Sequence, residues 1–161
     1  MSESKGAVQA TRPSRFWEDL EIGEATLSRE MTVDLDDMVA YAERYDPQWF
    51  HANPDAAKAS LFGEVIASGL YSAALWRVLD HEVNGDIAWV CGVAWDDVHW
   101  LRAVRAGDRL QAHSEILSKR PSSSRPGVGL AVLAHALTNQ DGARVFEFRS
   151  TNLVYRREPP A

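Results

Sequence analysis

Cys91 is the only cysteine in the chain, so no disulfide can form within one molecule and no cysteine-rich zinc site can be assembled. A reducing, cytoplasmic setting fits that scarcity. No apolar run approaches the length needed to span a bilayer, which excludes a helical membrane anchor. Basic residues are in the minority: 17 Lys and Arg face 23 Asp and Glu, for a formal charge of −6. Nucleic acid or an anionic membrane surface would call for the opposite balance, so neither is expected as a partner. No internal repeat is present, which excludes solenoid and propeller architectures.

What is present suffices for one respectable core, since 45% of the 161 residues are hydrophobic. A single domain is expected over residues 15–157. Met1 to Ser14 mix charged and small side chains without an apolar stretch, and are expected to form a disordered tail rather than a signal peptide. Residues 158–161 are expected to form a short C-terminal tail.

The first strand is expected from Glu24 to Met31. From Thr32 the period changes, and Leu35, Met38, Val39, Ala42 and Tyr45 recur at the three- and four-residue steps of one helical face. Asp34 is positioned to cap that helix, and Pro47 cannot continue it, so Asp46 is expected at its exit. Asn53-Pro54-Asp55 is the start signal of a short helix running to about Ser60. Gly69 to about Val83 reads as a third helix, apolar nearly all round through Leu70, Ala73, Ala74, Trp76, Val78 and Leu79, and therefore buried. Everything beyond Asn84-Gly85-Asp86 reads as strand: Ile87 to Trp100, Arg109 to Ser118, Val128 to Thr138 and Arg144 to Tyr155, the last two joined by the hairpin signal Asn139-Gln140-Asp141-Gly142. This order predicts an α+β domain in which a largely antiparallel sheet wraps one long helix. Val128 to Thr138 is apolar on both faces, a pattern that points to cover from a second subunit.

Asp46 and His51 place a carboxylate and an imidazole in one short loop past a helix end, a combination suited to acid–base chemistry. Spacing alone is equally consistent with a plain helix stop, in which Asp46 accepts backbone hydrogen bonds and His51 is a satisfied, half-buried residue. Downstream, Ser68-Gly69 opens the long helix, whose first amides have no partner within it and can hold an oxyanion.

Tyr45 to Asn53 together with Gly63 to Leu70 resembles the MaoC-like, or (R)-specific, enoyl-CoA hydratases of hot-dog fold. Their motif runs Gly-Asp-x-Asn-Pro-aliphatic-His-x-Asp-Pro, then a Gly, then a His-Gly pair opening the central helix. Asp46, His51, Pro54, Gly63 and Gly69 match it, and Leu101 to Asp108 is similar to the family's segment ending in Gly-Asp. Tyr45, Gln48, Trp49 and Ser68 depart from it, standing for Gly, Asn, Pro and His, and Asn53 stands where Asp is usual.

The resemblance implies a hot-dog fold, reversible hydration of a 2-enoyl thioester of coenzyme A or an acyl carrier protein, and assembly as a homodimer or dimer of dimers. It implies Asp46 and His51 as the catalytic dyad and the Gly69 N–H as the oxyanion donor. Gln48, Trp49, Phe62, Gly63 and Ser68 are then expected to border the substrate. No metal or redox cofactor is called for. Two other readings stay open: a hot-dog thioesterase that uses Asp46 to activate water against the carbonyl, and a non-catalytic acyl-thioester-binding partner subunit. His81, His99, His113 and His135 lack ligand spacing and are expected at surfaces or interfaces. Arg102, Arg105, Arg120 and Arg125 are candidates for coenzyme A phosphates.

Overall fold

A computed structural model describes residues 12–157. Of the two expected tails, residues 1–11 and 158–161 lie outside the described residues. The chain is already tied down at Ser14, whose N–H donates to the Asp86 carbonyl at 2.7 Å. Arg15 adds a side-chain hydrogen bond to Asp86 at 2.9 Å and a contact with Glu24.

After a 3-10 turn at Trp17–Asp19, the element order is β1 (Ala25–Leu27), β2 (Met31–Thr32), α1 (Leu35–Tyr45), α2 (Trp49–Ala52), α3 (Pro54–Ala57), α4 (Gly69–Asn84), β3 (Trp89–Trp100), β4 (Arg109–Pro121), β5 (Val128–Thr138) and β6 (Arg144–Tyr155). All strand pairings are antiparallel, in the order β1-β4-β5-β6-β3 with β2 also on β4. β6 closes on β5 through a turn in which Gly142 adopts φ +71°, a left-handed conformation that favours glycine. The Asn139 side chain accepts there from the Asp141 and Ala143 amides.

α1 forms where expected. The Asp34 carboxylate accepts the Asp37 N–H at 2.9 Å, and Met38 and Ala42 face inward. The expected first strand is instead two pieces. Ser28 interrupts it, because its hydroxyl accepts the Ala112 N–H at 2.9 Å and donates to the Arg29 carbonyl, replacing a backbone rung with a side chain. α3 stops at Ala57 rather than Ser60, since Ala59 and Ser60 bond three residues back in tight turns.

α4 lies along the concave face of the sheet, and the expected architecture of one helix wrapped by strands is observed. Its inward residues Tyr71, Leu75, Trp76 and Leu79 pack with Leu110 and Ala112 of β4, Leu137 of β5 and Phe146 of β6. The helix is not apolar all round: Leu70 is exposed, whereas Ser72, Asp80 and Asn84 are buried in the inward stripe. Burial selects the stripe, and polar residues there find partners in the sheet.

β5 is a central strand flanked by β4 and β6. Ala131, Leu133, His135 and Leu137 are buried on the face towards the helix, while Leu130, Val132 and Ala134 on the other face are partly exposed. The short strands β1 and β2 pair with β4 alone at one end of the sheet, and the long strand at the other end is β3, which exposes Val93, Trp95 and Trp100. Its pairing with β6 slips at three places, between Trp89 and Cys91, Gly92 and Ala94, and Asp96 and His99. Among the described residues, no helix is long and apolar enough to cross a membrane.

Leu79 is fully buried beneath the sheet. Leu79→Ala is expected to cost about 2–5 kcal/mol of unfolding free energy, read as a lower urea midpoint with little change in slope.

Candidate active site

Asp46 sits at the C-terminal end of α1, where its N–H still donates to the Ala42 carbonyl at 2.9 Å. Pro47 then turns the chain, and the single turn of α2 carries His51 inward. Four residues are too few to show a helical period, so α2 was invisible to pattern reading. Residues Val65 to Ser68 run beneath it, all buried, fixed by the Ala67 N–H to the Val104 carbonyl at 2.8 Å.

These segments place His51 Nε2 at 3.8 Å from Asp46 Oδ2. His51 Nδ1 lies 2.7 Å from the Ile66 carbonyl oxygen. A carbonyl can only accept, so Nδ1 carries the proton, and in the neutral ring Nε2 presents a lone pair towards Asp46. The Asp46 carboxylate is held from two sides: Ser68 Oγ donates to Oδ2 at 2.6 Å and Gln48 Nε2 donates to Oδ1 at 3.0 Å. The Ser68 bond, then the Gln48 bond, and lastly the adjacent imidazole keep Asp46 below the ordinary carboxylate range, against the opposing effect of burial. Asp46 is therefore ionised at neutral pH.

Ser68 is fully buried and caps α4, accepting the Leu70 N–H at 3.2 Å. Capping leaves the Gly69 N–H at the positive end of a 16-residue helix without a partner among the described residues. Gly69 is a glycine for a reason other than ligand approach. A Cβ there would lie 2.8 Å from Nε1 and 2.9 Å from Cε2 of Trp100, whose indole N–H donates to the Gly69 carbonyl at 2.9 Å.

Next to the pair lies a cavity of about 440 Å³ bordered by His51 and Gly69, with Phe50, Phe62, Trp100 and Arg102 among its walls. Of the residues expected to border a substrate, Phe62 lines this cavity and Ser68 does not. Ser68 and Gln48 stand behind the cavity as hydrogen-bond donors to Asp46. Trp49 is half exposed outside the wall, edge-on to Phe50 at 5.5 Å between centroids. Gly63 adopts φ +71° in the preceding turn, and a Cβ there would meet nothing within 4 Å. Its role is backbone conformation. Arg105 is engaged by Glu64 at 2.7 Å, and Arg120 and Arg125 are not among the cavity's residues. His135, expected at a surface or interface, is instead buried beside Trp76. The Ile66 carbonyl and the Phe50 and Trp100 walls were not foreseen, and only the aromatic character of the last two left a trace in sequence.

An ionised carboxylate and an imidazole nitrogen thus face one gap near a helix-terminal amide, on an antiparallel sheet wrapped around one helix. The model of the MaoC like domain matches residues 19–136, and the chain belongs to this family. Its fold is the hot-dog fold. The chain is 28% identical over 143 residues to the uncharacterized protein YdeM of Bacillus subtilis, covering 86% of this chain and 98% of that one. It is 31% identical to a MaoC-like dehydratase from Rhodospirillum rubrum, whose crystal structure superposes with a TM-score of 0.80 over 90% of this chain and 99% of that chain. R-hydratase PhaJ1 from Pseudomonas aeruginosa shares the fold at 22% identity, with a TM-score of 0.67 over 91% of this chain and 94% of that chain.

Ser68→Ala removes the strongest hydrogen bond to Asp46, so the Asp46 pKa is expected to rise towards the ordinary carboxylate value in a carboxyl ¹³C titration. Because the native value is depressed, the stability this bond contributes is present above the unfolded-state pKa and is lost as pH falls through the folded-state value. The gap in unfolding free energy between the native chain and Ser68→Ala should therefore close on acidification. A gap that widened in acid would contradict the assignment.

Proposed function

We propose that the chain reversibly adds water to a 2-enoyl thioester, giving a 3-hydroxyacyl thioester, with Asp46 and His51 as the acid–base dyad and Gly69 as oxyanion donor. The observation that carries this reading is the 3.8 Å gap between Asp46 Oδ2 and His51 Nε2 at the edge of the cavity that Gly69 also borders. Family membership and the hydratase and dehydratase structures that share the fold support the same class of chemistry.

Two acceptors at that separation can share one water, about 2.8 Å from each, by taking one of its hydrogens apiece. The water's lone pairs then face the cavity, ready for the β-carbon of an enoyl group. As the C–O bond forms, one proton passes to His51 Nε2. The resulting imidazolium is stabilised by ionised Asp46 and by the Ile66 carbonyl on the far nitrogen. Electrons displaced from the alkene gather on the thioester oxygen, where the Gly69 N–H and the α4 N-terminus offset the charge. The α-carbon recovers the proton from His51, so the alkene gains one H and one OH. Ser68 and Gln48 keep Asp46 oriented and anionic throughout.

The carrier is coenzyme A or an acyl carrier protein, with Arg102 at the cavity wall as the cation available to a phosphate. Trp49 and Gly63 act indirectly in this reading, through Phe50 and through the turn that presents Phe62. Pairing of two copies through the sheet is proposed, supported by the unpaired side of β3.

Purified protein is expected to bleach the enoyl-thioester absorbance of a short 2-enoyl-CoA without releasing thiol. Asp46→Asn and His51→Ala are each expected to lower kcat/KM by at least about a hundredfold. Turnover near the native rate in either folded variant would refute the dyad, and free thiol from saturated acyl-CoA would instead establish a thioesterase.

A further inference from the structure

Polar side chains form a buried line along the inner face of α4. Thr26 and Ser114 share a hydrogen bond of 2.7 Å, and the Asn84 amide donates to Ser114 and to Asp80 Oδ1, each at 2.8 Å. Arg77 closes on Asp80 Oδ2 at 2.8 Å. On the sheet side, His135 Nε2 lies 2.8 Å from Ser150 Oγ, which also accepts from Asn152 at 2.7 Å. The line breaks at one point. His135 Nδ1 is 3.8 Å from Asp80 Oδ1 and has no hydrogen-bond partner among the described residues, nor has the indole N–H of Trp76, whose ring centroid is 4.7 Å from that of His135.

Trp76 and His135 are 3% and 5% exposed. An unpaired buried polar group costs about 1–3 kcal/mol, so two side by side need an explanation. The break falls on a cavity of about 230 Å³ whose lining includes Trp76, Arg77, Asp80, Trp89, Trp95, His135 and Ser150, and which has no residue in common with the cavity beside Asp46. One water accounts for only ~30 Å³ of liquid. A larger occupant fits.

The chemistry of that occupant follows from the groups around it. Burial first, and the Arg77 charge second, push His135 down to about 3, so the ring is neutral. We assign its proton to Nδ1, because that nitrogen faces the Asp80 carboxylate at 3.8 Å and the Ser150 hydroxyl can donate to Nε2. Burial raises the pKa of Asp80, opposed by its bonds to Asn84 and Arg77. The wall of one cavity therefore carries two N–H donors and a carboxylate. Arg77 also lines the cavity, but its guanidinium is turned to Asp80 Oδ2 at 2.8 Å and to His81 Nδ1 at 3.4 Å. A carboxylate or phosphate at the two N–H donors would face the Asp80 carboxylate, and a ketone or ether has no hydrogen to give it. A hydroxyl accepts from the donors and donates to the acceptor, while Trp89 and Trp95 in the lining suit an aliphatic body.

We propose that this cavity is a second binding site, distinct from the Asp46–His51 site, that takes a small aliphatic alcohol or diol through a hydroxyl held by Trp76 Nε1–H, His135 Nδ1–H and Asp80. The probe is 1,2-propanediol, titrated into the full chain beside 1,2-dimethoxyethane, which has the same oxygens but no hydroxyl. The Trp76 indole signal in a ¹H–¹⁵N spectrum should shift saturably with the diol alone. In ligand-detected saturation-transfer titrations, Trp76→Phe should weaken diol binding about tenfold. His135→Gln serves as a second variant should Trp76→Phe fail to fold, and Asp46→Asn should leave binding unchanged. Non-saturating or equal shifts with both compounds, or undiminished binding in a folded Trp76→Phe or His135→Gln chain, would overturn the site.

Discussion

The hydroxyl of Ser68 joins the two helices on which the candidate site depends. As a donor it holds Asp46 at the end of α1, and as an acceptor it caps the start of α4. One oxygen thus fixes the carboxylate relative to the helix terminus that presents the Gly69 amide. Because the hydroxyl's only hydrogen is committed to Asp46, its lone pairs are left for the Leu70 N–H, and the direction of both bonds is determined together. The same arrangement explains why Ser68 can stand where the resembled family carries a histidine: what the position has to supply here is a short donor with an acceptor behind it.

Much of this was legible in the sequence where a periodic pattern or a backbone-restricting residue spoke. α1 ended at Tyr45 as Pro47 required, Asp34 and Asn53 capped as expected, and β5 and β6 kept their expected bounds. Asp46, His51, Ser68 and Gly69 were singled out from motif spacing, and the structure brings them together. What stayed hidden has physical causes. The partner that fixes the His51 tautomer is the Ile66 carbonyl, a backbone group that every residue carries, so no residue type could signal it. Trp100 reaches Gly69 from the far end of β3 through tertiary packing. Trp49 was placed in the pocket by its position within the motif, but one turn of α2 points Phe50 and His51 inward and leaves Trp49 outside.

α4 carries polar groups at both ends of its buried stripe. Near its start, Ser68 and Ser72 bond to Asp46 and to the Ser68 carbonyl respectively, beside the cavity that Gly69 and Ser72 line. Further along, Asp80 and Asn84 reach into the sheet, and their network stops one link short at His135. A hydrophobicity count over the helix reads these residues as interruptions of an apolar face. In three dimensions they are the positions at which strands contribute complementary groups, which makes the inside of the wrapped helix two chemical environments rather than one greasy core.

The three slips in the pairing of β3 bear on association. An open strand of twelve residues rich in Trp and Val is a template onto which unrelated extended chains can add. Each slip displaces the repeat of free amide and carbonyl groups along that edge, so a regular strand finds only short stretches in step with it. The bulges thereby narrow the range of strands that can add to this edge.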